Sequence, residues 1–115
     1  MSFSTDGKNA MLDELGTLAV YVALYTDDAG TTEVSGGSPA YARKSITWNA
    51  AASGSKTASN QPAFDVPAST TVKAVGYMSA LTGGVRYGLD NVVDEVFAAQ
   101  GTYTLTSVTL SITDS

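Results

Sequence analysis

Few side chains in this 115-residue chain are of a kind that carries chemistry, and their spacing limits what they can do. Carboxylates cluster twice, at Asp27 with Asp28 and at Asp90 with Asp94 and Glu95. Glycoside hydrolysis needs two carboxyl groups facing each other across a cleft, one with a raised pKa; neighbouring loop acids do not meet that description. Solvated loop acids are the simpler reading. Asp27, Asp28 and Glu33 offer oxygen ligands that suit calcium, but without the regular spacing of an EF-hand loop. Serines are plentiful, yet the chain has no His to activate one and no Gly-x-Ser-x-Gly elbow. Gly83-Gly84-Val85-Arg86-Tyr87-Gly88 is rich in glycine but lacks the Lys-Ser/Thr ending of a phosphate cradle, so it reads as a hairpin. The six tyrosines (Tyr21, Tyr25, Tyr41, Tyr77, Tyr87, Tyr103) are spread along the expected strands, as sheet residues are. No catalytic residue is assigned and no cofactor is expected. The absence of Cys and His excludes disulfides, thiolate ligands and imidazole ligands.

The remaining polar surface is unusual. Charged residues make up 15% of the chain, well below the usual quarter, and Ser plus Thr supply roughly a quarter instead. Such a surface resembles protein contact surface more than freely solvated surface. The net charge of −5, with six scattered basic residues, argues against nucleic acid. No run approaches the ~20 apolar residues of a membrane span. Met1 to Asp6 is neither basic nor apolar, so no signal peptide is expected.

The elements that would position these residues follow from periodicity. A single domain over residues 1–115 is expected from the length. Ala10, Met11, Leu12 and Leu15 form the apolar stripe of a short helix, about residues 5–15, capped by Ser4, Thr5 or Asp6 and stopped by Gly16 at C′. Thr17–Tyr25 reads as a strand apolar on both faces and therefore covered on both sides. The loop Thr26–Ser38 is long for a sheet connection and reads as either a mobile loop or a contact loop. Tyr41–Trp48 reads as a strand with a wet face of Tyr41, Arg43, Ser45 and Thr47, and with Trp48 anchoring the core.

A weak edge strand is expected around Ser55–Ala58. Phe64–Gly88 reads as strand, turn, central strand Val72–Ser79, Gly-Gly hairpin and strand Val85–Leu89. Gly76 in mid-strand marks a bend or the close approach of another layer. Asp90–Ala99 reads as a loop followed by a short strand. In Thr102–Thr113 the alternation slips by one residue at Thr106-Ser107, which requires a bulge, kink or turn. The class is mostly β: an antiparallel β-sandwich of about seven or eight strands with one short N-terminal helix.

Four stretches carry a resemblance. DGKNAMLDELG, GGSPAYARKSITWNAA, FDVPASTTVKAVGYMSALTGG and QGTYTLTSVTLSIT together resemble small virion proteins of tailed bacteriophages, particularly those of actinobacterial hosts. Such proteins are labelled tail-fibre-like, minor tail or capsid decoration proteins. Relatives often carry Gly where this chain has Ser69, and an aromatic where it has Met78. The resemblance implies a non-enzymatic sandwich, made in the host cytoplasm and built into the virion in many copies or as a homo-oligomer. Its partners would be the major capsid protein or tail proteins. Capsid decoration is the first expectation, with a minor tail or fibre-like role, or a carbohydrate-binding module using Tyr77 and Tyr87, as alternatives. Met11, Leu12 and Leu15 on the helix, with Val34, Leu81 and Thr82 at loop tips, are the expected partner contacts.

Overall fold

A computed structural model describes residues 3–111, in the order α1 (Thr5–Leu18), β1 (Tyr21–Tyr25), β2 (Lys44–Ser45), β3 (Ser55–Thr57), β4 (Ala63–Val66), β5 (Thr70–Met78), β6 (Arg86–Phe97), β7 (Gly101–Thr104) and β8 (Thr109–Ser111). Every strand pairing is antiparallel. One layer is a four-stranded sheet, β2-β1-β5-β6; the ribbons β3-β8 and β4-β7 pack over its inner face. The expected mostly-β class, with one helix and packed antiparallel sheets, is what the chain forms.

The helix starts as its sequence directs: Ser4 Oγ accepts the Gly7 N–H at 3.0 Å, and Asp6 sits in the first turn where the helix dipole favours a negative charge. It ends later than expected. Gly16 is not the C′ residue but lies inside α1, where a Cβ would collide with the aliphatic stem of Lys56. The helix stops only where the sheet captures the backbone: the Ala19 N–H still reaches Leu15 O, whereas Val20 donates to Met78 O and accepts from Ile46. β1 therefore begins at Tyr21 rather than Thr17. The helix packs on β3 and β8 of its own domain.

Alternation along β1 splits the core in two. Val22 and Leu24 face the space between the layers with Phe64, Val66, Val72, Val75 and Tyr77, while Ala23 and Tyr25 join Ala74 and Met78 on the outer face. Both faces of β1 are buried, as its two-sided apolar pattern requires. Phe64, at the centre of the main core, is fully buried; sequestering a side chain of this kind contributes about 1.5–3 kcal/mol. On the outer face the Tyr25 ring lies over Gly76, 2.7 Å from where a Cβ would stand, and Arg86 stacks on that ring at 5.3 Å. Gly76 thus marks a close approach. Met78 fits the same layer, with its sulfur 3.7 Å from the Tyr25 hydroxyl.

Two further expectations need correction. Of the stretch 41–48 only Lys44–Ser45 joins the ladder, with Trp48 bridging to Ala58; on its expected wet face Ser45 and Thr47 are exposed, whereas Tyr41 and Arg43 turn into a polar cluster and are half-buried. Residues 90–97 are no loop: β6 runs unbroken for 12 residues, with register shifts against β5 that disguise its period. The interruption expected at Thr106-Ser107 is there, as a break between two strands, β7 pairing with β4 and β8 with β3. Ile112 and Thr113 of that expected strand lie outside the described residues.

Candidate interaction surfaces

The six expected contact residues fall three to each of two surface grooves. The first, about 460 Å³, lies between α1, the start of β6 and β8, and is lined by Met11, Leu12, Leu15, Tyr87, Leu89 and Leu110 among others. The second, about 370 Å³, lies between residues 33–36, residues 41–43 and the hairpin tip, and includes Val34, Leu81 and Thr82. Leu12 and Val34 keep only 1% and 3% of their surface, so their side chains serve the core beneath the grooves. Met11, Leu81 and Thr82 are exposed and Leu15 is half-buried.

A polar cluster builds the wall of the second groove. Arg43, its side chain 9% exposed, donates from Nε and Nη2 to the two carboxylate oxygens of Glu33, each at 3.0 Å. Its Nη1 reaches the carbonyls of Ala80 (3.0 Å) and Gly83 (2.8 Å), tying the loop after β1 to the β5–β6 hairpin. The Tyr41 hydroxyl donates to Glu33 Oε2 at 2.7 Å and accepts the Leu24 N–H at 2.9 Å, while its ring stacks on Phe64. Burial opposes the Glu33 charge more than any other single influence. The hydrogen bonds from Arg43 and Tyr41 together outweigh it and hold the carboxyl below its ordinary 4.5. Burial first, then the Glu33 bond and charge, push the Tyr41 phenol far above its ordinary range. A neutral phenol and a saturated ion pair form a clamp, with no poised acid or base.

Several other candidate groups are also engaged. Asp27 accepts from the backbone of Thr31 and Thr32 and from the Thr31 hydroxyl, which holds its carboxyl below the usual range. Glu33 turns instead to Arg43, so the Asp27, Asp28 and Glu33 trio forms no shared oxygen cage. Tyr77, a supposed sugar platform, is buried, its hydroxyl 3.3 Å from Asp90 Oδ2; burial, then Asp90, push its phenol upward. Tyr87 is exposed. Ser53 to Lys56 spells Ser-x-x-Lys, a spacing used by Ser/Lys nucleophile pairs. Here Lys56 is buried and its Nζ is committed to Asp13 Oδ1 (2.8 Å) and Asn49 O (2.9 Å), clamping α1 to β3. That bond lowers the pKa of Asp13.

Periodicity missed the most exposed apolar feature. Val93 and Val96 stand 91% and 72% exposed on β6, at the edge of the larger sheet. The signal was the run Val92-Val93 with Val96 among acids, which a two-residue period cannot accommodate without a bulge.

In comparison with known families, the profile of a family described as Gp80, podophage GP4 fiber I protein gp80, aligns with residues 3–109. Neither a curated protein nor a solved structure matches the chain.

Proposed function

Because the chain belongs to the family of the podophage GP4 fiber I protein gp80, and is thus a phage structural protein, we propose that it is a non-enzymatic module of a virion fibre. It works by binding other virion proteins. The observation that carries this reading is the family match, which spans both layers of the sandwich and the helix. The site chemistry supports it: Glu33, Arg43, Tyr41, Lys56 and Tyr77 are spent on clamps between elements. The domain measures 46 × 24 × 23 Å, an elongated shape suited to a fibre module or to its attachment point. A fibre role on the tail therefore ranks ahead of capsid decoration. A carbohydrate platform ranks lower, since it would have Tyr87 without Tyr77. Many copies per particle would add avidity to individually weak contacts.

Separating purified particles into heads and tails, with immunogold labelling and mass spectrometry of each fraction, tests the proposal. The chain is expected with the tails. Recovery on heads alone would restore capsid decoration, and absence from particles would overturn the virion reading altogether.

A further inference from the structure

Among the described residues, no strand pairs with the outer side of β6. Its 12 residues span about 40 Å at the usual rise, and alternate N–H and C=O groups along that edge point away from the sheet. Such an edge is a template for another strand, and proteins usually blunt it with Lys, Pro, bulges or charge. β6 has neither Lys nor Pro. It has bulges: between the pairs Val72↔Glu95 and Ala74↔Asn91 the β6 side carries two extra residues, with Val93 at the apex. It also has Asp90, which accepts from the Tyr77 hydroxyl at 3.3 Å, Asp94, which lies 3.9 Å from Lys73 of β5 in an exposed pair, and Glu95, whereas its one basic residue, Arg86, is stacked on Tyr25 and bonded to Gly30 O.

These features select the occupant. Two copies paired through β6 would bring three carboxylates from each along one ladder, on chains that already carry −5 apiece. Like charges across a strand pair are destabilising. A strand bearing Lys or Arg meets attraction at the same positions. Toward its N-terminal end the edge runs into the 460 Å³ groove, where Met11, Leu15 and Leu110 face Tyr87 and Leu89.

We propose that β6 and this groove receive an extended basic segment of another virion protein, added as a fifth strand to the sheet. Apolar side chains of the segment enter the groove and cover Val93 and Val96, while its basic side chains meet Asp90, Asp94 and Glu95. Backbone bonds supply affinity, and the acids supply the choice of partner. The proposal rests on the reading of the chain as a phage structural protein.

The test uses the full chain with a synthetic peptide of about nine residues alternating Lys and Val, against a control alternating Glu and Val. Hydrogen exchange of Arg86–Phe97 is expected to slow with the Lys peptide only, with binding that weakens as salt rises from about 50 to about 300 mM. Asp94→Lys with Glu95→Lys is expected to weaken that binding at least about tenfold while leaving the melting temperature within about 2 °C, since both side chains are exposed. Equal binding of both peptides, protection elsewhere than β6, or dimerisation of the chain through β6 would each overturn the proposal. In particles, a photo-crosslinking residue at position 93 is expected to join a basic segment of another virion protein. A link to a second copy, or none, sinks the strand-addition proposal, while the abundance of the chain in those particles reports separately on the virion reading.

Discussion

Replacing Arg43 with Ala tests the clamp that joins the loop after β1 to the hairpin tip. The substitution removes two charged hydrogen bonds to Glu33 and two to the carbonyls of Ala80 and Gly83. Breaking a fully buried ion pair costs about 3–5 kcal/mol, because the remaining charge is stranded without a partner. Glu33 keeps 28% of its side-chain surface, and the hairpin carbonyls lie near solvent, so water recovers part of the loss. The expected cost is about 2–3 kcal/mol. For a domain of this size that corresponds to a fall in melting temperature of about 8–12 °C. Urea unfolding followed by Trp48 fluorescence measures it well, since the indole donates to Ala19 O at 2.9 Å and packs on Tyr77. A double-mutant cycle with Glu33→Gln should give a coupling of at least about 1 kcal/mol. Arg43→Lys should fall between wild type and Ala, because an ammonium cannot reach Glu33 and both carbonyls together. A cost for Arg43→Ala under about 0.5 kcal/mol, or strict additivity in the cycle, would refute the clamp.

Other outcomes follow from the same geometry. Ser69 holds a left-handed φ of 60° at an exposed turn, so Ser69→Gly should stabilise the domain by about 0.5–1 kcal/mol in urea titration. Gly16→Ala should not yield the ~1 kcal/mol that helix propensity promises, and thermal melts should show no gain or a loss, because the new methyl meets the Lys56 stem. Gly76→Ala should cost about 1–3 kcal/mol by displacing Tyr25, measurable in the same melts. Asp13, Asp27 and Glu33 are all held below their ordinary values of 3.8, 3.8 and 4.5, so the stability they contribute is present above those values and lost as pH falls through and below them. Tyr41 and Tyr77 are shifted upward, so their contribution holds below about pH 10 and is lost as pH rises past it. Urea midpoints across pH should therefore show a plateau with a falling limb at each end, the acid limb flattened in Glu33→Gln.

Much of this protein was legible wherever a residue's local pattern and its tertiary environment agree. The two-sided apolar run of β1, the Gly-Gly hairpin and the break near Thr106 could all be read directly, because burial imposes a period of two and a slipped register must be absorbed by a bend. The lack of His and Cys, and the scattered basic residues, bounded the chemistry before any fold was known. Tertiary structure decided what depends on distant partners. Gly16 lies inside the helix with Lys56, forty residues later, against it where a Cβ would stand, and the helix ends where Met78 and Ile46 take the backbone. Arg43 is buried because Glu33, Ala80 and Gly83 converge on it; a polar alternation along 41–48 carries no record of that convergence. β6 was hidden because its bulges break the very period that identifies a strand, and only pairing with β5 restores it. Local sequence encodes which face of a segment avoids water. Which remote group then occupies that face depends on how the layers meet.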